Sequence, residues 1–367
     1  MTLTNYWWLL IWPVFAGGVL TVAAPRGPVQ LPGRSEYRWS IGAALILVCP
    51  LVIWAAFRGN IGDTGAYQAM FRNIPTLESG IIEYLSKNSK DRGFYALASL
   101  IKTVFGSDCT LFFFIIAAFQ IFCITYFFRR YSTDFLLCIF MFLLSTDYLS
   151  WMFNGIRQFI AVCIVLLTFG LVLRKKYIPS ILIILLASTI HGSALMMLPI
   201  IFVIQGRAWN RKTILMIVAV AVTILFIDRF TDFLDSVLVD TQYSDIVTND
   251  IWKNDDGTNI LRALFYSIPA ILSLAGKRQV DEADSPVINL CVNCSICTAA
   301  LYFLSVFSSG IYVGRLPIYT TFQGYAVVPW LINHIFTKRS AAVVTAVLMA
   351  AYLAFFYYQM HFSWNML

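Results

Sequence analysis

Charge is what this chain has least of. Only 12% of its 367 residues are Asp, Glu, Lys or Arg, about half the share carried by soluble domains. With 59% apolar residues and a mean hydropathy of +0.76, that scarcity excludes a water-soluble globular fold. Eight cysteines fall in or at the ends of apolar runs, so no disulfide framework is implied. The one metal-like spacing, CVNCSIC (Cys291, Cys294, Cys297), lies inside such a run with no fourth ligand nearby; it reads as neutral small residues. There is no repeat of fixed period. No basic n-region precedes the first apolar stretch, and Pro25 and Pro28 follow it in place of a cleavage site, so the first helix is expected to be retained.

Long apolar runs are what it has instead. Many approach the roughly 20 residues that cross a bilayer. The candidate spans are 5–23, 39–57, 109–128, 134–153, 156–173, 214–228, 260–276, 287–307, 312–333 and 341–360. The net charge of +7 is not a nucleic-acid footprint, because fifteen of the 26 basic residues cluster in short loops, as the positive-inside rule expects of the cytoplasmic side. The stretch 177–206 carries basic clusters at both ends. A helical hairpin of short or re-entrant helices meeting near His191, Gly192 and Ser193 keeps both clusters inside. The expectation is an all-α polytopic protein of about 10–12 membrane segments. It forms one integral membrane domain, 1–367, with a first extracytoplasmic loop at 58–108, including an amphipathic helix, and a second, acidic one at 228–259. The second contains NDDG, Asn254 to Gly257, without an EF-hand pattern.

The charges left at the outer edge carry the chemistry. Arg58 ends the second span, Arg157 starts the fifth (NGIRQ), and Arg315 lies within an apolar segment. Each alone reads equally well as functional or as structural, the structural reading being a snorkelling anchor or one half of an ion pair with Asp63, Asp91 or Asp147. Three at one depth suit a lipid phosphate or pyrophosphate, which guanidinium groups bind bidentately. In RGNIGDTGAY, Asp63 sits among glycines beside Thr64 and ahead of Tyr67. It reads as a general base, a divalent-metal ligand or an ordinary turn aspartate. His191, at the expected break, reads as a base, a donor to phosphate or a structural histidine. Tyr67 and Tyr319 are candidates to stack on sugar rings.

Four segments then align in order: R-x4-D-x3-Y (Arg58, Asp63, Tyr67), D-x-G-F (Asp91, Gly93, Phe94), N-x-x-R-Q (Asn154, Arg157, Gln158) and A-x3-H-x-S-A (Ala187, His191, Ser193, Ala194). A later R-x3-Y, Arg315 and Tyr319, follows. The chain thereby resembles the EpsG family of bacterial exopolysaccharide and capsule biosynthesis proteins, related to Wzy-type polymerases, over roughly 5–335. One departure is Asp91, where the family pattern carries Glu. The resemblance implies a GT-C-like helical glycosyltransferase in the bacterial cytoplasmic membrane, with its active site facing outside. It would join oligosaccharides carried on undecaprenyl pyrophosphate, both donor and acceptor being lipid-linked, alongside membrane lipid and other polysaccharide-assembly proteins. In that reading Arg58, Arg157 and Arg315 bind the pyrophosphate, Asn154 and Gln158 flank Arg157, and Tyr67, Asp91 and Tyr319 complete the substrate set. Asp63 or His191 takes the acceptor proton. A single displacement would invert the anomeric centre. No cofactor is expected, although Asp63 leaves a divalent ion open. The alternatives are a lipid-linked glycan flippase and a membrane O-acyltransferase. A flippase should carry polar residues through the full membrane depth, and an acyltransferase leaves the arginines unexplained.

Overall fold

A computed structural model describes residues 4–23, 26–28, 37–87, 90–227 and 257–364. The acidic loop expected at 228–259 lies outside the described residues except for 257–259. Helices dominate, and the only strands among the described residues are the antiparallel pair β1 (Arg26–Pro28) and β2 (Tyr37–Trp39). The described chain falls into two compact units, Met1–Leu195 with Phe336–Leu367, and Met196–Ile335.

In the first unit α1 (Thr4–Ala23) precedes the strand pair, and α2 (Ile41–Ala56) follows it. Next come three helices within the expected first loop: α3 (Thr64–Asn73), α4 (Ile81–Lys87) and α5 (Arg92–Phe105). Then follow α6 (Cys109–Tyr131), α7 (Phe135–Leu144), α8 (Asp147–Asn154), α9 (Ile156–Leu173) and α10 (Tyr177–Ile190). Polar caps set the helix starts. Ser40, Asp108 and Asp134 accept from the backbone N–H groups of Ala43, Thr110 and Leu137, satisfying donors that have no helical partner. Helix α6 ends on Arg129 and Arg130, cations placed at the negative end of the helix dipole.

Helix α5 is amphipathic as expected. Phe94, Ala98, Ser99 and Ile101 are buried, while Leu100, Val104 and Phe105 face outward, which suits a helix lying at a lipid interface. Its buried face packs on α10, α10 packs on α9, α9 on α6 and α6 on α2. In a bilayer such contacts rest on close packing rather than on exclusion of water. Rings of Phe112, Phe113, Phe153 and Phe159 fill this core.

The run 134–153, expected as one span, is broken. Helices α7 and α8 meet at 71°, with Thr146 in the left-handed region at φ 64°. Helix α8 then widens into a π turn over Ser150–Asn154, closed by Gly155 N–H donating to the Ser150 carbonyl at 3.0 Å. The chain also breaks at His191, where the expected hairpin has its turn, and a 3₁₀ segment, Gly192–Met196, follows.

The second unit holds α11 (Met197–Val203), α12 (Arg211–Leu225), α13 (Ile260–Tyr266), α14 (Ile268–Ala275), α15 (Lys277–Ala283), α16 (Pro286–Val306) and α17 (Ile318–Ile335). Helix α16 is its hub, in contact with α12, α13, α14 and α17. Cys291, Cys294 and Cys297 are buried in α16. Among the described residues no three of His, Cys, Asp and Glu come together as a metal site. The segment 312–333 differs from expectation: Val313–Arg315 is a separate 3₁₀ turn and α17 begins only at Ile318, because Pro317 and Gly314 interrupt the apolar run. Helix α18 (Lys338–Tyr358) returns to the first unit and packs on α7.

Four described helices are long and apolar enough to cross a membrane: α6, α9, α16 and α18 with the turn after it. The bent pair α7–α8 makes a fifth if it is one span. Other apolar stretches, Trp7–Ala23 of α1, α2 and α10 among them, are shorter. The chain is an all-α polytopic membrane protein.

Candidate active site at the start of α9

Arg157 stands in the first turn of α9, directly after the π turn. Its Nη1 donates to Asp91 Oδ2 at 2.7 Å, and its guanidinium also bonds the Tyr67 hydroxyl. The Tyr67 hydroxyl reaches the Asn154 carbonyl at 3.5 Å. The Arg157 side chain remains 36% exposed, against 11% for Asp91. A guanidinium has five N–H donors, so two partners leave others for a ligand.

Asp91 holds three helices together. It precedes α5 in the left-handed region (φ 52°), which Asp tolerates better than most residues. Its carboxylate pairs with Arg157 at the start of α9 and accepts from the Gly192 N–H just beyond α10. Burial pushes the Asp91 carboxyl above the ordinary carboxylate range, against the opposing pull of Arg157, the Gly192 N–H and Lys90. Two residues on, Gly93 lies against Thr189 so closely that a Cβ there would sit 2.8 Å from the Thr189 carbonyl carbon. Only glycine lets α5 and α10 approach this far.

His191 caps α10 with extended backbone and is half-buried. Its Nδ1 lies 2.7 Å from the Ser193 hydroxyl, so the ring is oriented by its own loop. Asp63 is exposed at the N-terminus of α3, where its side chain makes no capping bond, and its charge acts on Tyr67. Burial raises the Tyr67 phenol above its usual value, with Arg157 pulling the other way. Asn154 packs against Gly62, where a Cβ would stand 3.1 Å from Asn154 Oδ1. The four motif segments, distant in sequence, therefore meet in one place.

Gln158 is buried. Arg58 is 6% exposed, its guanidinium over the Phe113 and Phe153 rings, with Nε donating to the Ala55 carbonyl and Nη1 to the Met152 carbonyl. Burial lowers it to about 10, still a cation at neutral pH. In the second unit Arg315 is exposed in its 3₁₀ turn and Tyr319 is fully buried in α17. Sequence reasoning did not single out the Gly192 N–H or the approach of Gly93 to Thr189. The glycine in D-x-G-F was the available signal for the second.

No curated protein and no solved structure matches the chain. The EpsG family profile matches residues 43–366, nearly its whole length and all the motif segments above. The chain therefore belongs to the EpsG family of membrane proteins, which is associated with exopolysaccharide biosynthesis.

Proposed function

We propose that the chain is a polysaccharide polymerase, a glycosyltransferase that joins oligosaccharide repeat units carried on undecaprenyl pyrophosphate at the outer face of the bacterial cytoplasmic membrane. The observation that carries this reading is Arg157. It is a partly exposed guanidinium at the mouth of a membrane helix, ringed by Tyr67, Asp91, Asn154 and the His191 loop.

Arg157 binds the pyrophosphate of the donor. The N-terminal end of α9 favours the same anion. As the glycosidic bond breaks, its electron pair moves to the bridging oxygen, and the fixed cation stabilises that charge more than it does the ground state. Asp91 holds the guanidinium in place from behind. The acceptor hydroxyl attacks the anomeric carbon and gives its proton to Asp63 or to His191. The Ser193 hydroxyl, 2.7 Å from Nδ1, orients the His191 ring for that proton or for a phosphate oxygen. One displacement of this kind inverts the anomeric centre. Arg315 is a further candidate for the pyrophosphate. The donor and acceptor are both lipid-linked, and the scheme uses no cofactor.

The test is turnover. Purified protein in nanodiscs receives a defined repeat unit on undecaprenyl pyrophosphate. The expected result is release of one undecaprenyl pyrophosphate for each glycosidic bond formed. Tight binding of the lipid-linked unit with no bond formation would contradict it and point to transport.

A further inference from the structure

Arg58 opens the first motif, yet its guanidinium is buried. Nε donates to the carbonyl of Ala55 in the last turn of α2, and Nη1 donates to the carbonyl of Met152, both at 2.5 Å. The Phe113 ring of α6 lies 4.3 Å from Cζ, and the Phe153 ring 4.5 Å. The carbonyls of a last helical turn have no partner within the helix, and a cation there meets the negative end of the dipole. Met152 and Phe153 both belong to the π turn Ser150–Asn154. A π turn is a poor local geometry that persists when its surroundings hold it.

We infer that Arg58 is a positioning residue: it clamps the π turn Ser150–Asn154 so that Asn154 and Arg157 face the mouth, and it does not itself touch the pyrophosphate. This rests on the reading of Arg157 given above. The loop that Arg58 opens is also fastened to the far end of that turn, because Gly62 packs on the Asn154 side chain. Thr64 closes the same loop by donating to the Ile61 carbonyl at 2.5 Å. The residue type follows from the geometry. A planar guanidinium serves two carbonyls and two ring faces at once, which an ammonium group cannot do.

The experiment uses the full chain in nanodiscs and two readouts. One is arginine-selective labelling by phenylglyoxal, read by mass spectrometry at Arg58 and Arg157, with and without inorganic pyrophosphate. The other is the dissociation constant for inorganic pyrophosphate in wild type, R58M, R157A and the double variant, with R58K as the milder change. Arg157 should label and be protected by pyrophosphate, while Arg58 stays unlabelled. R58M should weaken pyrophosphate binding about 10-fold, and the double variant should bind no more weakly than R157A alone, because Arg58 acts through Arg157. R58K should fall between wild type and R58M. Pyrophosphate-protected labelling of Arg58, additive losses in the double variant, or unchanged binding in R58M would each overturn the inference. A wild type that binds no pyrophosphate would instead count against the proposed function. The clamp is then read from labelling alone: altered Arg157 reactivity in R58M and R58K supports it, and unchanged reactivity overturns it.

Discussion

Asp91→Asn separates charge from shape in the candidate site. Asparagine has nearly the same size and adopts the left-handed backbone at least as readily as aspartate, so the φ of 52° is kept. What is lost is the charge-assisted bond to Arg157 Nη1 at 2.7 Å. Hydrogen bonds to charged groups contribute about 1.5–3 kcal/mol, which is roughly 10- to 150-fold in rate if the bond acts in the transition state. Stability should respond differently. Because burial raises the folded-state pKa of Asp91, the folded chain holds this proton more tightly than the unfolded chain does. The ionised carboxylate is therefore a cost at neutral pH. That cost is relieved as pH falls through the raised value toward the unfolded one, near 3.9. Asparagine removes it, at the expense of a partner for an arginine that is over a third exposed and retains Tyr67. The two changes should nearly cancel, leaving the melting temperature within about 2 °C of wild type. Turnover of the lipid-linked repeat unit and thermal unfolding monitored by tryptophan fluorescence measure the two effects in one preparation. A melting temperature lowered by much more than this, with activity falling only in proportion to the unfolded fraction, would refute the reasoning and make Asp91 a structural tie.

Gly93→Ala should be worse than its size suggests. The new methyl group meets Thr189, overpacking of this kind costs about 1–3 kcal/mol, and both melting temperature and turnover should fall. Tyr67→Phe removes one acceptor from Arg157 and leaves the ring in place; turnover should fall about 2- to 10-fold at unchanged melting temperature. Protonation of Asp91 should add an acid-side loss of rate above the ordinary aspartate value, since burial raises that carboxyl, and Asp91→Asn should remove this loss while keeping the limb of the Asp63 or His191 base. The new linkage should carry the opposite anomeric configuration to the donor, read from the anomeric proton coupling in NMR, and retention would rule out a single displacement.

The class of the fold was written in the apolar runs, because these are local. The break at His191 was also legible, since charge placement demanded a turn there. The break at Thr146 was not: FLLCIFMFLLSTDYLSWMF carries no proline or glycine, and the left-handed Thr146 is imposed by packing. In the site, motif order pointed to the right segments but not to what each side chain does. Asp91 was one of three partners named for the outer arginines, and only the fold pairs it with Arg157 across 66 residues. Arg58 and Arg157 look alike in sequence. Phe113 and Phe153 help bury one of them, while the other stays over a third exposed, a difference set by tertiary contacts.

The most direct measurement is a product ladder. Wild type and Arg157→Ala, each confirmed as folded, are incubated with the same undecaprenyl-pyrophosphate repeat unit, and the glycans are separated on a gel. The account predicts a ladder of joined units from wild type and none from Arg157→Ala. An equal ladder from both proteins, or none from wild type, would contradict it.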